Sequence, residues 1–351
     1  SLPYARAHMA LLTCALGPDA AGTMLARLLR DSRHSIDAAV YEVGPSYRWE
    51  LMRAARRGVR VRLVLDAHSS DGNAATARDL NAAGGTCRVA GTGARRAHGK
   101  LLISDGRTVA VGTGNLIWRD APHDRHLRYP PASTPLAGTR EWWVMAARSR
   151  EVSRAARTAF DAHWTTARRP PAGWSATPEA PAPSIGTPMP QVGPSTACIR
   201  GRRLRVLVGG EAVASALRSL VGASRRRVLV TVPYAHPGAP AVADLLDLMT
   251  RATTRGAACA LLLGEVPDRA DAGRLRAFPF PVRRMDPARS TSGHAKGVIA
   301  DGAALVSSAN WSSAGLGANW EIGLHIDHRA AAAYYAAAFR RDWDTGLGID
   351  V

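Results

Sequence analysis

The sequence predicts an α/β protein of two pseudo-symmetric α-β-α halves, each a mostly parallel mixed sheet flanked by helices, with the active site at their interface. Three observations predict it. One stretch occurs twice, as HGKLLISDG from His98 and as HAKGVIADG from His294. Before each copy, strand-like apolar runs alternate with helical patterns in the same order. A connector over 169–197, rich in proline, serine, threonine and glycine, separates an N-terminal half at 1–168 from a C-terminal half at 198–351.

In the first half, a helical pattern over 20–30 leads to a strand at 35–43. A helix over 47–57 stops at Gly58, a residue suited to the left-handed conformation that ends helices. Alternation over 59–65 (VRVRLVL) gives a strand, a helix over 76–83 stops at Gly84-Gly85, and a strand at 87–90 leads to the first motif. Residues 101–103 and 108–111 read as a hairpin across Asp105-Gly106. The second half repeats this plan with a strand at 204–208, a helix at 212–221, a strand at 227–232, a helix at 240–254 and a strand at 258–263. Short strands at 298–299 and 304–306 flank Asp301-Gly302, and the closing helices match as AFDAHW at 159–164 and AFRRDW at 338–343. Strands alternating with helices favour parallel sheets covered on both faces.

The repeated stretch is a site rather than a structural echo. Of 46 basic residues only Lys100 and Lys296 are lysine, and each stands two residues after a histidine of the motif H-x-K-x-x-x-x-D. Matched polar groups follow: Asn115 in GTGN and Asn310 in SSAN, in a chain with five asparagines. Then comes a glutamate inside an apolar strand, Glu141 in REWWVMA and Glu321 in NWEIGLHI. A buried carboxylate needs a cationic or hydrogen-bonding partner, and the motif histidines are the natural candidates.

A net charge of +18 favours polyanionic partners such as nucleic acid, anionic lipid surfaces or phosphate-rich substrates. No apolar run approaches the length of a membrane-spanning helix. Cys14, Cys87, Cys198 and Cys259 lack metal-ligand spacing, so no metal is expected; two disulfides and four buried thiols both fit. No signal peptide is visible, but a leader removed before Ser1 fits this numbering, so secreted and cytoplasmic locations stay open.

Together these motifs resemble the phospholipase D superfamily, and the resemblance covers nearly the whole chain. It implies a metal-independent phosphodiester exchange without cofactors, in which one histidine becomes a covalent phosphohistidine and the other protonates the leaving oxygen. On that likeness His98 is the nucleophile and His294 the acid and base. Two departures are Ser307, where the family often has glycine, and Gly99 after the first histidine. With both motifs in one chain, a monomer is expected.

The residues support the same chemistry on their own account. A neutral imidazole is nucleophilic, and a carboxylate on its far nitrogen fixes the tautomer and supports the cation that forms. Glu141 is expected to do this for His98, and Glu321 for His294. Lys100 and Lys296 are compact charges for non-bridging phosphoryl oxygens, with Asn115 and Asn310 as further donors. Asp105 and Asp301, five residues beyond each lysine, are expected to tie down the hairpins. The other histidines default to surface or satisfied positions, and Trp142, Trp143 and Trp320 to the core. The contrary readings are a pair of inert core histidines and a catalytically inactive polyanion-binding module.

Substrate selectivity points to the longer first half. Glu141 follows Asn115 by 26 positions, whereas Glu321 follows Asn310 by 11. The extra segment should overhang the site, with Trp118, Arg119 and His126 as candidate substrate contacts. Such groups fit a phospholipid headgroup, the favoured substrate, and also a nucleic-acid backbone, the alternative.

Overall fold

In the computed structural model the chain is described over residues 9–68, 72–91, 95–129, 138–171, 173–174, 192–200, 203–289 and 292–349. The first half contains β1 (Met9–Gly17), α1 (Ala21–Asp31), β2 (Ser35–Val40), α2 (Pro45–Arg56), β3 (Arg60–Asp66), α3 (Asn73–Ala82) and β4 (Thr86–Ala90). It continues with β5 (Lys100–Ser104), β6 (Thr108–Gly112), β7 (Thr139–Ala147) and α4 (Arg150–Thr166). Then follow β8 (Ser195–Arg200), β9 (Leu204–Val208), α5 (Gly210–Ala223), β10 (Arg227–Val232), α6 (Pro240–Thr254), β11 (Ala258–Leu263), α7 (Arg269–Arg276) and β12 (Val282–Arg284). The chain closes with β13 (Ser292–Gly293), β14 (Gly297–Ala300), β15 (Ala303–Ser307), a π-helical turn (Ala314–Ala318), β16 (Ile322–Ile326) and α8 (Arg329–Asp344).

The two halves share one topology. The first sheet runs β4-β3-β2-β5-β6-β7-β1-β8, and the second runs β12-β11-β10-β14-β15-β16-β9. Both sheets are mixed, but they are not mostly parallel. Within each half, parallel pairing is confined to β2-β3-β4 and to β10-β11-β12. The remaining neighbours are antiparallel, among them the two hairpins made by the short turns at Asp105-Gly106 and Asp301-Gly302. The helix stop read at Gly58 has φ +85°, the left-handed conformation that a side chain would resist.

Three buried clusters fill the molecule. One lies under α1, α2 and α3 with Leu25, Leu51 and Leu80, and a second under α5 and α6 with Val213, Leu217, Leu245 and Met249. The third joins the halves, with Leu101, Trp142 and Val144 from the first sheet meeting Ile299, Ile322 and Leu324 from the second. Phe160 of α4 and Tyr335 of α8 belong to this shared core. Tyr335 stacks on Trp142 at 4.6 Å, and its hydroxyl donates to the Trp143 carbonyl at 2.7 Å.

Two matched crossings stitch the halves together and fix the site. β13 of the second half runs parallel to β7 of the first, and the His294 amide donates to the Arg140 carbonyl at 3.0 Å. In the mirrored contact, Ala97 bridges to Trp320 and the His98 amide donates to the Trp320 carbonyl at 3.0 Å. Each motif histidine is therefore docked one residue before the glutamate of the opposite half.

β8 covers the end of the expected connector and the start of the expected second half, and it pairs with β1 at the edge of the first sheet. Residues 175–191 of the connector lie outside the described residues. All four cysteines are free thiols. Cys14, Cys87 and Cys259 are buried and Cys198 is exposed, so neither the disulfide reading nor four buried thiols holds.

Candidate active site

The crossings decide which carboxylate meets which imidazole. His98 Nδ1 lies 3.1 Å from Glu321 Oε1, and His294 Nδ1 lies 2.8 Å from Glu141 Oε1. The expected pairing within each half is thus overturned: each histidine takes the glutamate of the other half. The cause is topological. β13 docks beside β7 and Ala97 beside Trp320, so each motif histidine is set next to the glutamate of the opposite half. Both glutamates are fully buried, while His98 and His294 keep 12% and 25% of their side chains exposed.

Each carboxylate is held by a second matched set of bonds. Thr113 Oγ1 donates to Glu141 and Ser308 Oγ donates to Glu321. The same two hydroxyls accept the amides of Trp142 and Ile322, each at 2.9 Å. Asn319 Nδ2 adds a bond to Glu321 Oε1 at 3.2 Å. With Nδ1 engaged by a carboxylate, Nε2 of each imidazole is the nitrogen left for chemistry.

Both lysines are buried beside their own histidines. Lys100 Nζ donates to the His98 carbonyl at 2.6 Å and stands 5.5 Å over the Tyr41 ring, which packs edge-on to His98. Lys296 Nζ donates to the His294 carbonyl and lies 2.7 Å from His294 Nδ1. Burial lowers Lys100 to about 8 and Lys296 to about 7. Burial also lowers both histidines, helped by the neighbouring ammonium groups, so both imidazoles are neutral near pH 7. Lys100 and His98 both act on His294, and Lys296 acts on His98, so the two motifs form one electrostatic site.

Asn115 and Asn310 border this centre, each with a buried Oδ1 that has no hydrogen-bond partner. Asn310 Nδ2 donates to the Tyr234 hydroxyl at 2.8 Å. Asp105 and Asp301 point away from it. Asp105 accepts the amides of Arg33, His34 and Ser35, and Asp301 those of Arg225, Arg226 and Arg227. Each thereby ties its hairpin to the loop before the central parallel strand.

Of the candidate substrate contacts, Trp118 and Arg119 are half-exposed at the root of the long segment. His126 is exposed and accepts from Arg125 at 2.9 Å. The adjoining backbone is strapped to α1, where Arg27 donates to the Leu127 carbonyl at 2.6 Å. Residues 130–137 of the segment lie outside the described residues.

Several site residues carried little sequence signal. Thr113 and Ser308 stand inside the matched GTGN and SSAN runs, two residues before each asparagine, and their pairing at equal offsets is the signal that marks them. Asp120 had no counterpart to mark it. Its buried carboxylate accepts the Asn115 amide at 2.7 Å, and burial followed by Glu141 raises it. Asp120, Glu141 and His294 offer ligand atoms within 4.8 Å of one another, a grouping the expectation of no metal cluster did not foresee. Lys296 already places its own charge 2.7 Å from that imidazole, which disfavours a cation there. Trp320, expected in the core, is only partly buried and stacks on His163 at 4.0 Å. Gly99 is explained by it, because a Cβ there would collide with the Trp320 indole.

Comparison with known proteins gives a consistent placement. A family model described as "Cardiolipin synthase, PLD-like domain" matches residues 25–126 and 217–343. The fold is similar to phosphatidylserine synthase from Haemophilus influenzae Rd KW20, with TM-score 0.63 and 13% identity over 97% of this chain and 89% of that one. It is also similar to polyphosphate kinase from Porphyromonas gingivalis, with TM-score 0.57 and 14% identity. That match covers 94% of this chain, which spans only half (50%) of the kinase. Nuc from Salmonella typhimurium, a phospholipase D family member, matches 41% of this chain and 96% of its own at 18% identity and TM-score 0.36. Curated proteins give no match.

Proposed function

The chain belongs to the phospholipase D-like family described by the cardiolipin synthase model, and from that premise we propose a metal-independent phosphodiester exchange through a covalent phosphohistidine. The observation that carries this reading is the crosswise pair of carboxylate-bound imidazoles, each beside a buried lysine. The Nε2 lone pair of His98 attacks phosphorus, the N–P bond forms and the P–O bond to the leaving group breaks. His294 gives that oxygen a proton, then takes one from water or an alcohol whose oxygen attacks phosphorus and returns the electron pair to His98. Lys100 and Lys296, with Asn115 and Asn310, stabilise the non-bridging oxygens.

Asp120 supports this division of labour. His294 faces two carboxylates, Glu141 and Asp120, while His98 is paired with Glu321 alone. An anionic phosphodiester seated between the lysines would offset the charges that depress both imidazoles. The extra carboxylate would then favour the proton on His294.

The proposed substrate is a phospholipid, with hydrolysis or headgroup transfer as the reaction, in keeping with the description of the matching family. The net charge of +18 favours a second reading, cleavage of a DNA or RNA backbone. Turnover of phosphatidylcholine vesicles and of single-stranded DNA, measured side by side in excess EDTA, separates them. Lipid turnover that survives chelation is expected; loss restored by a divalent ion would defeat the metal-independent mechanism.

A further inference from the structure

Beside the catalytic centre, at the junction of the halves, lies a cavity of about 630 Å³ that the chemistry above does not use. Its walls carry Arg95, Arg96 and Arg168 from the first half and Arg169 from the start of the connector, and meet Asn319 and Trp320 from the second half. Four guanidinium groups around one cavity make a strongly positive concavity, and arginine is suited to planar, multidentate recognition of phosphate. Asp66, buried beneath this wall, offers one opposing carboxylate, 3.9 Å from Arg96 Nη1.

A second observation points independently to a ligand. His163 lines the same cavity, is only 8% exposed, and its Nε2 is buried without a hydrogen-bond partner. Its ring is fixed by stacking on Trp320, 4.0 Å apart and within 6° of parallel. Arg96 Nη1 is likewise buried with no hydrogen bond. Unpaired polar atoms of this kind are costly and uncommon in a native fold, and a bound acceptor removes the cost.

We propose that this cavity binds a phosphate-bearing anion, a phosphomonoester or pyrophosphate group, additional to the phosphodiester held between the two histidines. The arginines supply charge, and the neutral His163 ring donates its Nε2 hydrogen to an oxygen of the ligand. The site is wired to catalysis through backbone and side-chain bonds. Trp320 donates its amide to the Arg96 carbonyl at 2.9 Å and accepts the His98 amide. Asn319 accepts the Arg96 amide at 3.0 Å and donates to Glu321. Occupancy therefore bears on the carboxylate that orients His98.

The test titrates the full chain with pyrophosphate at about 0.15 M salt, following heat and the nitrogen resonances of the His163 ring. The variant Arg168→Ala/Arg169→Ala removes two exposed side chains while leaving the backbone pairing of Arg168 with Val89 in place. His163→Phe keeps a ring on Trp320 but removes the nitrogen. Arg154→Ala/Arg157→Ala removes the same charge from an exposed part of α4. Binding should weaken about tenfold or more in the first two variants and change by less than about twofold in the third. The His163 resonances should shift on binding in the wild type and in His98→Ala/His294→Ala. The proposal is overturned by absence of binding, by equal weakening in both arginine pairs, or by binding that responds only to Lys100→Met and Lys296→Met.

Discussion

At the scale of single residues, the two lysines are the sharpest feature. In a chain with 44 arginines among its 46 basic residues, buried ammonium groups stand only where the histidines are. A guanidinium is planar and bulkier, so it does not reproduce a compact contact to phosphoryl oxygen. Lys100→Arg and Lys296→Arg should each fold normally yet lose about a hundredfold or more in turnover, with KM less affected. Near wild-type rates in both would remove the lysines from the phosphate site. Their lowered values also set a pH profile. Lys296 and Lys100 lose their charge as pH rises through about 7 and about 8, so kcat/KM should fall across that window. His98, lowered from 6.5, stays neutral and nucleophilic on the mildly acidic side, so the rate should hold there. An optimum at strongly alkaline pH would contradict this assignment. The residue types were legible in the sequence because each was scarce or duplicated. Asp120 and Asn319 were not, because neither belongs to a repeated pattern and only the fold brings them to the site.

At the scale of elements, the repeat of strands and helices was legible from alternation and from glycine stops, and most observed elements fall within a few residues of the expected ranges. Alternation of strands and helices alone predicts a mostly parallel sheet, but the Asp-Gly turns act against it. Those turns reverse the chain and make β5-β6 and β14-β15 hairpins. The departure at Ser307 also resolves here. In the first sheet Gly112 sits opposite Trp143, whereas in the second Ser307 sits opposite Gly323. The two halves place the small residue on opposite strands of the same pair, so the glycine is exchanged rather than lost. Each hairpin is anchored by its motif aspartate. Burial alone would raise both carboxyls, but the amides of residues 33–35 and 225–227 outweigh it and lower them. Asp105→Ala and Asp301→Ala should each cost about 1–2 kcal/mol, read as a shift in the urea midpoint. Because the folded-state values are depressed, this contribution is present above the unfolded carboxyl's value and is lost as pH falls through the folded one. Asparagine variants that cost nothing would show that the carboxylate charge is idle.

At the scale of the whole molecule, the halves are held by a shared apolar core and by a buried ionic cluster that reaches the site. Asp19 accepts from Arg140 at 3.2 Å and from Arg341 of α8 at 3.0 Å, and Arg140 also faces Asp342 at 3.6 Å. Arg140 immediately precedes Glu141 and supplies the carbonyl that docks His294. Asp19→Ala removes one carboxylate from buried Arg140 and partly buried Arg341, which both keep Asp342, and should cost about 3 kcal/mol in denaturant unfolding. A loss under about 1 kcal/mol would mean the cluster is solvated. This coupling across the halves was not legible in the sequence, and neither was the crosswise pairing of histidine and glutamate. Both depend on how the sheets face each other, which local patterns do not encode. In the proposed mechanism the nucleophile comes from one half and its orienting carboxylate from the other. Single-turnover labelling with a phosphorus-labelled p-nitrophenyl phosphodiester, whose leaving group needs no proton, tests this most directly when quenched in alkaline denaturant, where a phosphohistidine bond survives. His294→Ala and Glu141→Gln should still form labelled enzyme, His98→Ala should form none, and Glu321→Gln should slow labelling about a hundredfold or more. Label on the His98→Ala protein, or labelling slowed by Glu141→Gln and untouched by Glu321→Gln, would contradict it.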